Sequence, residues 1–148
     1  MTNLCQYNRR ESIEIVGIPE SIPNHALEET VVGILRRIGV QGLQYYDIVA
    51  CHRLKKKPGD QHANVIMRFA NRKRAIECLR NRKYLKDAVN EFPNVYIFEN
   101  LCPRMKSIFD ICKDLQKRGS IKKVWTYNGT INFKKLTIFQ KNQQNYIT

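Results

Sequence analysis

Acidic residues are scarce in this chain. Thirteen Asp and Glu stand against 26 Lys and Arg in 148 residues, for a net charge of +13 and an isoelectric point near 9.8. The few carboxylates suggest no catalytic pair: Glu28 and Glu29 suit a helix start, and Glu11 and Glu14 a solvated strand face. No stretch approaches about 18 consecutive apolar residues, and the first residues lack an apolar core run, so neither a membrane span nor a signal peptide is expected. Five cysteines are odd in number and scattered, with no CxxC pair, and His25, His52 and His62 complete no zinc-ligand spacing. No metal or other cofactor is expected. Gly17, Gly33 and Gly39 lack the spacing of a phosphate loop and its Lys-Ser/Thr. Cys51 and His52 are neighbours, so in a strand they point to opposite faces and cannot pair as nucleophile and base. An enzyme is not expected. Free, buried cysteines fit a reducing compartment, so the chain reads as intracellular, in cytoplasm or nucleus.

What the chain has in excess is positive charge, concentrated over residues 47–86. Arg53, Lys55, Lys56 and Lys57 fall in or beside a loop between two apolar, strand-like runs. Arg68, Arg72, Lys73, Arg74, Arg80, Arg82, Lys83 and Lys86 follow, opposed after Asp47 only by Asp60 and Glu77. Like charges this dense repel one another and are best tolerated when a polyanion is the partner. The bland alternative is a solvated basic surface. Nucleic acid comes first among partners and an anionic membrane surface second; no membrane association is expected.

In chain order, residues 1–11 read as a flexible N-terminus. Ile13 and Ile15 alternate with Ser12 and Glu14 in a strand closed by Pro19. Pro23-Asn24 offers an N-cap to a helix over about 25–38, whose stripe is Leu27, Val31, Ile34, Leu35 and Ile38 and whose stop is Gly39. A second strand spans about 47–53 and a third about 62–69, separated by the Pro58-Gly59 turn signal. Asn71 can cap a second helix with Ala75, Ile76, Cys78 and Leu79 on its apolar face, and residues 95–98 make a fourth strand. Strand, helix, strand, strand, helix, strand is the order of an α+β, ferredoxin-like (RRM-like) βαββαβ sandwich, expected here over residues 12–99. Pro103 then opens a third helix that Gly119 ends, and Asn128-Gly129 marks a two-residue hairpin turn. That hairpin puts Trp125, Tyr127, Thr130 and Asn132 on one face and Val124, Thr126, Ile131 and Phe133 on the other. The helix and hairpin form a small C-terminal unit over 100–136, and 137–148 reads as a flexible tail.

The segment from Ser12 to Pro19 resembles the opening strand of the baculovirus few-polyhedra (FP) protein family. Residues 95–101, the following helix and 123–129 resemble that family's C-terminal region and, more closely, insect FP-type proteins that are often transposon-derived. The element order is also similar to the nucleic-acid-binding half of the LINE retrotransposon first-frame protein. There Cys51-His52-Arg53 matches a histidine-arginine pair whose arginine is implicated in RNA contact. These resemblances imply a viral or retroelement RNA-binding module. Such relatives carry an upstream coiled coil, trimerising in LINE proteins; this chain starts just before strand one and has no heptads, so oligomerisation is not carried over. Where an RRM has aromatic residues in strands one and three, this chain has Ile13, Ile15, Val65, Met67 and Phe69. Base stacking on the sheet is therefore not expected, and charge should dominate.

Arg53 is the sharpest candidate, because a planar guanidinium grips phosphate bidentately or stacks on a base. Lys55, Lys56 and Lys57 suit phosphate contact without sequence reading. Arg68, Arg72, Arg74, Arg80 and Lys83 extend the basic surface. Trp125 and Tyr127 could stack bases beside Lys122, Lys123, Lys134 and Lys135, or could pack as core. Two functions follow: a largely sequence-tolerant binder of single-stranded RNA or DNA, with a packaging or chaperone role, or a protein-interaction module docking through its sheet face or C-terminal helix.

Overall fold

A computed structural model describes residues 4–88 and 91–136. The tail expected over 137–148 lies outside the described residues. The chain is mixed α+β and divides into two compact units: Asn8–Asn100, and the described residues of Met1–Tyr7 with Leu101–Thr148.

The first unit follows the order β1 (Ser12–Val16), α1 (Asn24–Arg37), β2 (Ile48–Arg53), β3 (Val65–Phe69), α2 (Arg72–Asn81) and β4 (Tyr96–Glu99). Its strands form one sheet in the order β2-β3-β1-β4, with every neighbouring pair antiparallel. Alternation decides which face is covered. Ile13, Ile15, Val65, Met67, Phe69 and Ile97 point into one core, where they meet Leu27, Val31, Ile34 and Leu35 of α1 and Ala75 and Cys78 of α2. Among the described residues the opposite face carries no helix of this unit.

Local chemistry explains most boundaries. Asn71 caps α2, its side chain accepting the Lys73 N–H at 2.8 Å. Asn24 does not cap α1: it is already the first helical residue, and Pro23 stands at the cap without a side-chain bond. The C-terminus of α1 closes by paired backbone bonds, Gly39 N–H to the Arg36 carbonyl and Val40 N–H to that of Leu35. Burial raises the Cys78 thiol pKa to about 12, with nearby Glu77 adding to it.

In the second unit α3 (Pro103–Lys117) packs on a hairpin of β5 (Lys123–Tyr127) and β6 (Thr130–Lys134). Asn128 at φ 51° and Gly129 at φ 74° make the turn, the double positive φ a two-residue hairpin requires. The register pairs Val124 with Phe133 and Trp125 with Asn132, the two faces expected from the turn. The N-terminus departs from its expected flexibility at residues 4–7. Leu4–Tyr7 is a helical turn, and Gln6 is buried, its Oε1 accepting the Cys102 N–H at 2.8 Å. A polar anchor far from any apolar stripe leaves no periodic signature.

Gly17 ends β1 at φ +93°, and a Cβ there would stand 2.0 Å from the Asn94 carbonyl oxygen. Neither the conformation nor the backbone neighbour can yield cheaply. Gly17→Ala is therefore expected to cost about 2–4 kcal/mol, measured as a lower urea midpoint at unchanged slope.

Candidate nucleic-acid interface

Five of the expected site residues sit together on the hairpin unit. Lys123, Trp125, Tyr127 and Lys134 share one face of β5–β6, with Lys123 directly opposite Lys134. Trp125 is 38 % exposed and Tyr127 71 %. Lys123 Nζ lies 5.7 Å from the Trp125 ring centre, within cation–π reach. Lys122 adjoins them, its N–H on the Lys134 carbonyl and its side chain exposed. On the opposite face Val124 is buried while its partner Phe133 is 51 % exposed, and by their own exposure the tryptophan and tyrosine are not core.

In the first unit the candidates divide. Arg53, opposite Val65 in the ladder, points to the helix-covered face. Its Nη1 donates to the Ile18 and Ala63 carbonyls, each at 3.0 Å, and its Nη2 to those of Pro19 and Ile22. All four Nη hydrogens are spent clasping the β1–α1 connection to the segment just before β3, and the fork is not presented to a phosphate. The expected role of Arg53 is corrected accordingly: it is a structural clasp. Alongside it, the Ala63 N–H donated to Glu20 at 2.9 Å lowers that carboxyl's pKa, with burial opposing and Arg53 assisting.

Arg74 is turned to a similar task. It bonds the Gln41 and Gly42 carbonyls at 2.9 and 3.1 Å and pairs with Glu77 at 3.1 Å and Asp47 at 3.5 Å. The guanidinium fastens the loop between α1 and β2 to α2. Arg72 on α2 is half-buried; Arg80, at its end, is exposed. Lys83 is also exposed, 5.3 Å from the Tyr84 ring centre. The helix lies on the covered side of the sheet, so Arg72 and Arg80 stand across the unit from Arg68. Arg68 occupies the open face in an exposed 3.3 Å pair with Glu11, the kind of contact water and salt readily exchange. Lys55, Lys56 and Lys57 are exposed in the β2–β3 loop.

Sequence reasoning missed the aromatics of the sheet. Ile13, Ile15, Val65, Met67 and Phe69, weighed as the stacking positions, all lie on the covered face. On the open face stand Tyr96 and Phe98 of β4, 50 and 42 % exposed, with ring centres 6.5 Å apart and planes inclined by 34°. Tyr96 also borders a groove of about 260 Å³ lined by Gly17, His62, Asn64 and Pro93 among others. The signal was the alternation of these rings with Val95 and Ile97; because all four residues are apolar, it did not reveal which pair faces out.

Among the described residues no cluster of three or more His, Cys, Asp or Glu could hold a metal ion, and no helix is long and apolar enough to cross a membrane. Cys51 faces the core and His52 the open side, and burial raises the Cys51 thiol pKa to about 11. Compared with known proteins, the chain matches no family model and no curated protein.

The clasp gives Arg53→Lys a defined outcome. One ammonium cannot reach four carbonyls, so the variant should lose about 2–3 kcal/mol in urea unfolding while Lys56→Ala loses almost nothing. The thiols set an alkaline limit. Since burial raises the folded-state pKa of Cys51 and Cys78 above the usual 9.0, their contribution is complete below pH 9 and is lost as pH climbs toward 11 and 12. Melting temperatures from pH 8 to 10.5 should fall less for Cys78→Ala than for the parent.

Proposed function

We propose that this chain is a binding module for single-stranded nucleic acid, RNA foremost, and not an enzyme. Binding is largely sequence-tolerant and driven by the basic surface, in a packaging or chaperone role within an intracellular FP-type viral or retroelement protein. The observation that carries it is the outer face of the hairpin, where Lys123, Trp125, Tyr127 and Lys134 combine exposed rings with flanking cations. Rings of this kind stack on any base, and lysines of this kind neutralise phosphate, which is how a strand is held without its sequence being read. The ferredoxin-like, RRM-like assignment of the first unit is part of the proposal. Its support is the element order β1-α1-β2-β3-α2-β4 together with the strand order β2-β3-β1-β4. The resemblance to FP and LINE first-frame proteins agrees with it.

A protein-interaction role is the second reading, and α3 is the observation that favours it. None of its side chains is fully buried, and Ile108, Ile111 and Leu115 form an exposed stripe at helical spacing.

Salt titration separates the two. If about five phosphates are neutralised on a single strand, log affinity should fall against log salt with a slope near −3.5. Trp125→Ala and Tyr127→Ala should each weaken binding by about 1–3 kcal/mol at an unchanged slope. A flat salt response in fluorescence anisotropy would remove the nucleic-acid function and leave the exposed stripe of α3 as the surface to pursue.

A further inference from the structure

From the open face of the sheet we infer a second base-binding site, one that discriminates among bases: Tyr96 and Phe98 stack two successive nucleotides, and Glu14 selects an amino-bearing base on Phe98. The site rests on the single-strand reading above and adds a preference to it.

The ladder registers define the surface. Glu14 stands directly opposite Ile66 on one side and Phe98 on the other, and Ile66 opposes His52. One row across the sheet therefore runs His52, Ile66, Glu14, Phe98. The next places Val16 beside Tyr96, and the row on the other side of Glu14 places Ser12 beside Arg68. The two rings are two residues apart on one strand, and their centres are 6.5 Å apart. Neighbouring bases in a duplex strand rise about 3.4 Å. Bases seated on both rings must therefore be unstacked from one another, which an extended single strand allows and a duplex does not.

Charge is arranged to admit a strand at both ends of the face and to select in the middle. The loop carrying Lys55, Lys56 and Lys57 joins the last residue of β2 to the first of β3, the end of the sheet where Tyr96 lies. Arg68 sits toward the opposite end, its exposed pair with Glu11 exchangeable for a phosphate. On the face between these cations Glu14 stands beside Phe98, while Asp60 and Glu91 border the groove next to Tyr96 and keep phosphate to the lysine side of that end. Glu14 Oε1 accepts the Asn64 amide at 2.9 Å, which orients the group, and Oε2 keeps its acceptor capacity. A carboxylate is a poor neighbour for phosphate but a good one for an exocyclic amine. Cytosine N4 donates to it, whereas the O4 of uracil or thymine is an acceptor and is repelled. Adenine and guanine also carry donors; cytosine and uracil make the cleaner comparison because their rings are the same size.

The test is fluorescence anisotropy with labelled octamers of cytidine and of uridine, in ribose and in deoxyribose form, at one salt concentration. The parent is expected to bind the cytosine octamer several-fold more tightly than the uracil octamer in both sugar forms, because rings and carboxylate read only the base. Glu14→Gln should bring the ratio close to one, since an amide offers both a donor and an acceptor. Phe98→Ala should weaken both octamers by about tenfold at an unchanged salt slope. Phe98→Leu, which keeps apolar bulk without a ring, should behave like the alanine variant and separates stacking from folding. Salt-dependent binding with equal affinity for the two octamers, a ratio that survives Glu14→Gln, or unchanged affinity in both Phe98 variants would overturn this site and leave the nucleic-acid function standing. Absence of salt-dependent binding by the parent would remove both.

Discussion

Burial of Ile13 and Ile15 at the middle of the sheet is the constraint from which the rest follows. β1 lies between β3 and β4 and has no free edge. With side chains alternating across the strand, committing those two isoleucines to the core commits Ser12, Glu14 and Val16 to the other side. Antiparallel pairing transmits the choice outward: Val65 and Met67 follow the isoleucines, and Ile66, Arg68, Tyr96 and Phe98 follow Glu14. The same alternation builds the hydrophobic core and sorts the chemistry of the opposite surface. A slip of one residue would exchange the two.

Arginine and lysine divide the chain's positive charge between them. Arg36 reaches the Leu43 carbonyl with two nitrogens, Arg53 reaches four carbonyls, and Arg74 two more. In each case a forked cation gathers loop carbonyls that have no strand or helix to satisfy them. Among the described residues every lysine except the half-buried Lys106 is exposed, a point charge on a flexible stem. The net charge of +13 thus overstates what is available to an anionic partner. Part of it is structural, holding the connections between elements in place.

Much of the architecture was legible in the residues because it rests on local rules. Alternation located β1 and β3, the stripe from Leu27 to Ile38 located α1, and Asn128-Gly129 located the hairpin together with its two faces. The roles of Arg53 and Arg74 were not legible, since the loop carbonyls they gather lie mostly about 30 residues away and main-chain oxygens are a feature every residue possesses. Tyr96 and Phe98 escaped for another reason. In β4 both alternating sets are apolar, so only the three-dimensional packing of Val95 and Ile97 reveals which set is outside. Trp125 and Tyr127 read equally well as core or surface in the sequence, because in a lone hairpin alternation does not say which face the packing helix takes; Val124 is the strand residue that is buried.

The discontinuous small unit, with its first turn at Leu4–Tyr7 and its remainder after residue 100, has a kinetic meaning. Gln6 and Cys102 are 96 positions apart, and bringing such distant points together in a floppy polymer carries an entropic cost that grows with the logarithm of the span. The sheet removes most of that cost in advance. β1 and β4 are adjacent, and Arg9 donates to Asn100 at 3.1 Å, so the strand that enters the larger unit and the strand that leaves it finish side by side. Once the sheet has formed, Gln6 and Cys102 are neighbours of two points already joined. During synthesis the turn at Leu4–Tyr7 is made before the sheet and its partner Cys102 after it, so the bond between them has to wait for the whole larger unit to be made.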